Sequence, residues 1–197
     1  MSGQMKPYTS ITPGQLRSEE ELVKRAQHTP EAFGELYEIH YKRIFNYALK
    51  RTANVQLALD ITSVTFLKAF SQIKKYRWRD VPFAAWLYRI ASNEINDHYR
   101  REGGRWVSSI EAIADLADTS DYADEINRAE EELSRHEEFI LLHKKISELP
   151  IIYQEVIALK FFEKKKIREI VKILGKKEGT IKSLLHRGVE KLREKMQ

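Results

Sequence analysis

The chain of 197 residues contains no cysteine. Disulfides and thiolate zinc sites are therefore excluded, and a reducing compartment is compatible with the sequence. Long hydrophobic runs are also missing: the longest charge-free apolar run near the middle, residues 81–88, is far short of the ~20 residues that a membrane helix needs. The first 15 residues lack the apolar segment of a signal peptide. We expect a cytoplasmic protein.

Motifs of common catalytic and cofactor sites are absent as well. The sequence has no glycine-rich phosphate loop and no Gly-x-Ser-x-Gly elbow. Its six histidines are scattered, and on one helix His136 and His143 would lie about 10 Å apart along the axis, too far to share a metal. We predict that the chain is not an enzyme and holds no cofactor or metal, unless a catalytic site is assembled only in three dimensions.

Charge is distributed unevenly along the chain. The formal net charge is +5, but residues 111–138 hold 11 acidic and 2 basic residues, which leaves 32 basic against 18 acidic residues elsewhere. From residue 143 to the end, 15 lysines and arginines face 7 carboxylates. Such a basic chain, interrupted by one acidic belt, indicates nucleic acid as a partner more than an acidic small substrate.

Residues 166–195 have the pattern of a helix-turn-helix. Two amphipathic helical segments flank Gly175, a residue that adopts a left-handed turn without strain. Any helical hairpin with a glycine turn has this spacing, and the local basic charge is what favours DNA binding. A helix fits the major groove, where basic and hydroxyl side chains reach bases and phosphates. The candidate contacts on the second helix are Thr180, Lys182, Ser183, His186 and Arg187.

The N-terminal half is predicted to contain four helices. Residues 1–17 have little periodicity and predict a flexible tail, after which Ser18 begins a capping box. Apolar stripes then predict three further helices, which begin at Pro30, near Gln56 and at Pro82 and end near Arg51, Ile73 and Arg101.

Residues 74–80 alternate basic and aromatic side chains. Aromatic rings stack on unpaired bases while lysine and arginine bind phosphates, so this loop suits a single strand better than a duplex. Tyr76 and Trp78 have no apolar stripe to join, and we expect them to be exposed or covered by a partner. Trp86, in the following helix, is expected to pack in the core.

These patterns predict an all-α protein of two small helical domains. The first covers residues 18–102 and the second residues 133–197, with an acidic linker over residues 103–132 that begins at a glycine pair. The linker is either a plain solvated tether or a segment whose carboxylates occupy a basic groove meant for nucleic acid.

Both halves resemble a known family. DITSVTFLKAF from Asp60 and FAAWLYRIASNEINDHYRR from Phe83 are similar to region 2 of sigma-70 family factors. LP at Leu149, QEVIAL from Gln154, FFE from Phe161 and GTIKSLLHRGVEKLRE from Gly179 are similar to region 4. The chain thus resembles a bacterial sigma factor of the extracytoplasmic-function (ECF) group. The resemblance implies a protein that binds core RNA polymerase and directs promoter-specific transcription initiation, with region 2 melting and reading the minus-ten element and region 4 reading the minus-thirty-five element in duplex DNA.

The resemblance also implies site residues and partners. In region 2 it places DNA contacts at Tyr76, Arg77, Trp78, Arg79, Arg89, Asn93, Arg100 and Arg101, and polymerase contacts at Asp60, Ser63, Phe66 and Lys68. The implied partners are core RNA polymerase through its beta-prime clamp and beta flap, promoter DNA as duplex and as melted single strand, and an anti-sigma factor.

Two departures from the family pattern leave alternatives open. Ser63 and Val64 stand where the family usually has Gln-Glu, and Leu184 stands where an arginine is common. The first departure is compatible with a second hypothesis, in which the chain is an interaction protein that binds polymerase or a regulator without starting transcription. A DNA-binding regulator that works outside the sigma site is a third hypothesis; it predicts tight duplex binding by the isolated chain.

Overall fold

The structure is a computed structural model that describes residues 13–78, 81–101, 142 and 145–196. The described helices, numbered along the chain, are α1 (Pro13–Ala26), α2 (Pro30–Thr52), α3 (Val55–Gln72), α4 (Phe83–Arg101), α5 (Ile151–Ile157), α6 (Ile167–Leu174) and α7 (Glu178–Met196). No strand occurs within the described ranges, which agrees with the predicted all-α class. None of these helices is long and apolar enough to span a bilayer.

Helix α1 begins five residues before the predicted start. The prediction took Ser18 as the helix cap and residues 1–17 as a tail, but the helix starts at Pro13 and Ser18 lies inside it. Proline suits a first helical position because its φ is preset and its missing amide hydrogen is not needed there. Residues 1–12 lie outside the described part of the chain, as do the predicted linker and the segment up to residue 141.

The N-terminal domain packs α1, α3 and α4 around α2. The predicted bounds of α2 and α4 are confirmed to within a residue. Leu36 and Ile44 of α2 are fully buried, as are Phe83 and Leu87 of α4. Side chains of this size contribute about 1.5–3 kcal/mol each when buried, so this apolar core is the main source of the domain's stability.

A polar cluster closes the end of this core. The buried Arg51 guanidinium donates to the Tyr47 hydroxyl at 3.3 Å, and the Tyr47 and Ser92 hydroxyls are 2.7 Å apart. The Tyr99 hydroxyl donates to the Arg51 carbonyl at 3.3 Å. Burial raises the pKa of Tyr99 to about 12, against the opposing effect of the nearby Arg51 charge. The phenol of Tyr99 therefore stays protonated in the folded protein at a pH where an unfolded chain would lose the proton.

We expect this shift to make the protein less stable at alkaline pH. The folded-state pKa of Tyr99 exceeds the unfolded value of about 10, so its contribution is fully present below pH 10 and is lost as pH rises towards about 12, by at most about 3 kcal/mol. Tyr99→Phe should cost about 1 kcal/mol at neutral pH and reduce this alkaline loss. Urea unfolding at each pH measures both effects. Tyr153→Phe, at a half-buried tyrosine, should keep the wild-type pH dependence; an unchanged alkaline loss in Tyr99→Phe would contradict the assignment.

The C-terminal domain contains the predicted helix-turn-helix. Helix α5 continues as a π-helical turn over Ala158–Phe162, and α6 and α7 follow. Gly175 ends α6 with φ 65°, the left-handed conformation predicted for it. Ile170 and Ile173 of α6 and Ile181 of α7 are at most 1 % exposed. These three isoleucines fix the angle between the two helices, so the outer face of α7 is held in a defined position.

The two domains share one hydrophobic core. Helix α4 packs against α6, and buried residues of both domains form a continuous cluster. The sequence predicted two domains joined only by a tether, so this packing was not anticipated. It places the helix-turn-helix beside the helix that carries the predicted single-strand contacts.

Candidate nucleic-acid interface

Helix α7 presents its predicted contact residues to solvent. Thr180, Lys182, Ser183, His186 and Arg187 are all exposed. The opposite side is anchored by Ile181, which is fully buried, and by Gly188, where an added Cβ would lie 3.2 Å from the Cβ of Tyr153. One side of α7 therefore packs against α5 and α6. The other side, which carries the basic and hydroxyl side chains, is exposed to solvent.

Two of these side chains contact a glutamate of the same helix. Lys182 Nζ lies 2.6 Å from Glu178 Oε1, and His186 Nε2 lies 3.4 Å from Glu190 Oε1, both at the i,i+4 spacing. Exposed pairs of this kind contribute little to stability and are screened by salt. The Lys182 ammonium can thus exchange its carboxylate partner for a phosphate at low cost.

The loop before α4 is anchored more firmly than its sequence predicted. Tyr76 and Trp78 are half-buried and pack against the core, so the expectation that they have no apolar surface to pack against was wrong. The Tyr76 ring centroid lies 4.5 Å from that of Trp86. Gln27 Nε2 donates to the Tyr76 carbonyl at 2.8 Å and to the Ile73 carbonyl at 3.1 Å. No sequence signal marked Gln27, because its partners lie 46 and 49 residues away.

An open cavity of about 600 Å³ lies between this loop, α4 and α6. Its volume is within the range of small-ligand pockets. The charged residues that line it are Lys75, Arg77, Arg89 and Lys172, all cations. Trp86, predicted to be a core residue, is only half-buried and forms part of the wall. The cavity combines aromatic faces with positive charge, the combination that suits a base with its phosphate.

The other predicted DNA contacts of this domain lie along α4. Arg89, Asn93 and Arg100 are exposed and share one face of the helix, since residues 4 and 11 apart are nearly in register at 3.6 residues per turn. Arg100 pairs with Asp97, and Arg101 Nε donates to the Asp97 carbonyl at 3.4 Å. The predicted contact Arg79 lies outside the described residues.

The predicted polymerase contacts divide between surface and core. Asp60, Ser63 and Lys68 of α3 are exposed, and Lys68 Nζ lies 2.6 Å from Glu94 Oε1. Phe66 is corrected from a contact residue to a core residue: it is 4 % exposed, and its ring centroid lies 4.7 Å from that of Tyr37. It therefore supports the helix rather than its outer face.

Large apolar side chains on the outer face of α3 were missed. Leu67 is 67 % exposed and Phe70 45 % exposed, and the departure residue Val64, 36 % exposed, lies about one turn before Leu67. Helical spacing locates a stripe but not its edges, and only the packing of α2 against α3 decides which side chains are left uncovered.

Two family profiles match the chain. Residues 36–105 match Sigma-70 region 2, and residues 139–192 match Sigma-70, region 4. The first profile covers α3, the aromatic loop and α4, and the second covers the helix-turn-helix. The two matches occur in the order and at the positions that the sequence motifs predicted.

Curated relatives extend the comparison. The ECF RNA polymerase sigma factor BldN of Streptomyces coelicolor is 32% identical over 175 residues, which cover 87% of this chain and 63% of BldN. The ECF RNA polymerase sigma factor SigW of Bacillus subtilis is 29% identical over 171 residues, which cover 84% of this chain and 89% of SigW. This chain thus spans somewhat less than two thirds of BldN and most of SigW.

Solved structures share the fold. CnrH, solved in complex with the cytosolic domain of CnrY, matches with a TM-score of 0.61 at 21% identity and covers 90% of this chain and 96% of that one. The sigma factor RpoE of Bartonella quintana, solved with the anti-sigma factor NepR, matches with a TM-score of 0.58 at 20% identity, over 83% and 96% of the two chains. With both profiles and the curated relatives in agreement, the chain belongs to the sigma-70 family of RNA polymerase sigma factors, in its extracytoplasmic-function group.

Proposed function

We propose that this chain binds core RNA polymerase in the cytoplasm and directs it to promoters, with α7 reading duplex DNA at the minus-thirty-five element and the aromatic loop and α4 holding the melted minus-ten strand. The observation that carries the proposal is the presence, in one chain, of an exposed basic recognition helix and a separate cavity of cations and aromatic rings. The first suits duplex DNA and the second an unpaired base. The chain itself performs no chemical step.

On duplex DNA, α7 would lie in the major groove with its exposed face towards the bases. Lys182 and Arg187 supply the positive charge, while Ser183 and His186 can donate to or accept from base edges. Leu184 is half-buried, so the position where the family often has an arginine contributes packing instead. Sequence specificity for the minus-thirty-five element would then depend on fewer charged contacts to bases than in family members that have the arginine.

On the melted strand, an extruded base would enter the cavity beside Tyr76 and Trp86. Arg77 and Arg89 line the same cavity and would hold the neighbouring phosphates. Extruding a base costs a few kcal/mol of unstacking, which aromatic contacts of about 1–3 kcal/mol per base offset. The cavity is thus matched to DNA that polymerase has begun to open.

Polymerase would bind the outer face of α3. Asp60 and Ser63 provide polar groups there, and Leu67 and Phe70 provide exposed apolar surface beside them. Contiguous exposed apolar side chains on a soluble domain mark a protein interface. The same surfaces would suit an anti-sigma factor, since the related sigma factor RpoE was solved with the anti-sigma factor NepR.

Reconstituted transcription tests the proposal. The purified chain is added to bacterial core polymerase on promoter DNA pooled from the host genome, and the start sites are sequenced. Defined starts that share two upstream elements support the proposal. Binding to core polymerase without starts would favour the interaction-protein hypothesis, and tight duplex binding without polymerase would favour the independent regulator.

A single lysine tests the duplex contact. Lys182→Ala should weaken binding about evenly across promoter sequences and lower the slope of log affinity against log salt by about 1, because one phosphate contact is lost. Lys24→Ala is a matched control: both lysines are exposed and pair with a glutamate one turn earlier, at 2.6 Å for Lys182 and 2.8 Å for Lys24. Fluorescence anisotropy across a salt series measures the slopes. Equal slopes for Lys182→Ala and wild type would place the duplex surface elsewhere.

A further inference from the structure

Two side chains that precede α2 bond to the two ends of the segment between α3 and α4. Gln27, in the turn after α1, donates from Nε2 to the Ile73 and Tyr76 carbonyls, which lie just after α3. Glu19 Oε2 of α1 accepts from the Phe83 amide, at the start of α4, at 3.0 Å. The aromatic loop is therefore held at both of its ends by a part of the chain that lies far from it in sequence.

The Gln27 contact restricts the backbone that carries the Tyr76 ring. The Tyr76 amide donates to the Ile73 carbonyl at 3.0 Å, and the Tyr76 carbonyl accepts from Gln27 at 2.8 Å. The Tyr76 ring centroid lies 4.5 Å from that of Trp86 and 5.5 Å from that of Phe83, within the range of favourable aromatic pairs. The ring is thus fixed through its backbone as well as through its neighbours.

Glu19 caps α4 from a distance. Pro82 precedes this helix, and proline has no side-chain oxygen that could accept from the first helical amides. Glu19 accepts from the Phe83 amide instead, and a carboxylate at this end of a helix also interacts favourably with the helix dipole. Its other oxygen, Oε1, lies 3.1 Å from Nε2 of the buried His40 of α2. The first turn of α4, which carries Trp86, is thereby fixed relative to α1 and α2.

Both contacts act on the cavity to which the extruded base is assigned. Tyr76 and Trp86 line that cavity, whereas neither Gln27 nor Glu19 is among the described residues that line it. A ligand's apparent affinity falls with the fraction of protein molecules whose site is already arranged to bind it. Side chains that keep two aromatic rings in place can therefore raise affinity for a base without touching it. The region 2 profile begins at residue 36 and includes neither side chain.

We propose that Gln27 and Glu19 are positioning residues of the minus-ten site, which hold Tyr76 and Trp86 in the arrangement that accepts an extruded base. The inference rests on the proposed function, because it assumes that the cavity binds a base of the melted strand. It extends promoter recognition to α1 and the turn that follows it, which precede the matched profile.

A cycle of protein and DNA changes tests the proposal. Core polymerase saturated with the chain binds a labelled promoter from the reconstituted reaction, prepared with its minus-ten region unpaired. Each unpaired base is replaced in turn by an abasic site, and the replacement that weakens wild-type binding most identifies the extruded base. Fluorescence anisotropy then gives the affinities of wild type and Gln27→Ala with and without this base. The cycle isolates the coupling between Gln27 and the base from a general loss of stability.

Gln27→Ala should lower affinity for the complete promoter about fivefold, the equilibrium factor of one neutral hydrogen bond. Affinity for the abasic promoter should stay at the wild-type value, since the aromatic rings then have no base to receive. Gln27→Glu keeps the shape of the side chain but lacks the Nε2 donor, and it should lose at least as much. An equal loss on both promoters, or no loss on either, would overturn the proposal.

Gln154→Ala is the matched control. Gln154 Nε2 also donates to two carbonyls, those of Ser147 at 2.9 Å and Leu149 at 2.8 Å, but in the C-terminal domain. The control loses the same kind of contact, and its binding should depend on the base as strongly as that of wild type. A coupling as large as that of Gln27→Ala would overturn the proposal, because any such loss would then have the same effect.

The carboxylate is tested in the same assay. Glu19→Ala should show a coupling of the same sign, and Glu19→Gln, which keeps an oxygen for the Phe83 amide, should restore most of the dependence on the base. Glu20→Ala is the control, since Glu20 pairs with Lys24 at 2.8 Å on the surface of α1. Wild-type dependence on the base in Glu19→Ala would overturn the role of Glu19.

The wild-type data separate this inference from the proposed function. If no abasic replacement weakens wild-type binding, the cavity does not bind a base, and the proposed minus-ten contact is overturned together with the inference. If wild type depends on one base and Gln27→Ala depends on it equally, the inference alone is overturned.

Discussion

Reversing two charges on α7, as Lys182→Glu with Arg187→Glu, is expected to lower promoter affinity by about 100-fold or more. Each substitution removes a cation that would face phosphate or guanine and puts a repelled carboxylate in its place. The two side chains are exposed, so the fold should be retained. Affinity is measured by anisotropy on a promoter found in the reconstituted reaction, at fixed salt.

The control for charge reversal is Lys24→Glu with Arg25→Glu. These exposed residues of α1 give the same change in net charge on the other domain. We expect the promoter affinity of the control variant to fall by a few-fold at most, because only long-range electrostatic interactions change. A comparable loss in both double variants would mean that net charge, and not the face of α7, governs binding.

Replacing Gly188 with leucine is expected to detach α7 from α5. An added Cβ would lie 3.2 Å from Tyr153 Cβ and 3.3 Å from Ile157 Cδ1, already tighter than ordinary van der Waals contact. The remaining atoms of leucine have no space, and overpacking of this kind costs about 1–3 kcal/mol or more. Helix α7 would lose its packing against α5. The C-terminal domain should therefore melt at a lower temperature and lose duplex binding.

A second glycine of the same helix provides the control. Nothing lies within 4 Å of a Cβ at Gly179, so Gly179→Leu should be neutral or stabilising, because a helical residue other than glycine is favoured by up to about 1 kcal/mol. Thermal unfolding followed by circular dichroism compares the two variants. A Gly188→Leu chain as stable as Gly179→Leu would show that α5 and α7 do not pack closely in solution.

Local signals were sufficient for the helices and for the turn between α6 and α7. Apolar stripes at helical spacing located α2 and α4, and Gly175 ended α6 as predicted because a left-handed residue is a property of the local backbone. The start of α1 was misplaced because Pro13 and Ser18 are both good helix starts, and sequence does not rank them.

The candidate site was predictable in residue type but not in exposure. The basic face of α7 follows from its spacing, since a face opposite Ile181 must be open. Phe66 and Phe70 are both phenylalanines and lie one turn apart on α3. Phe66 is nevertheless buried and Phe70 exposed. That difference depends on where α2 ends its contact with α3, which is a long-range property.

By itself, the amino-acid sequence determined the helical class, the helix-turn-helix, the basic and aromatic loop and the family, because each depends on residues close together in the chain. Only the tertiary structure decided that Gln27 anchors the loop, that Trp86 lines a cavity and that Glu155 and Glu163 join the two domains. Those contacts join residues 49 to 75 positions apart or form a cavity from several helices. Charge and hydrophobicity can suggest many such partners, and only the packing of the helices selects among them.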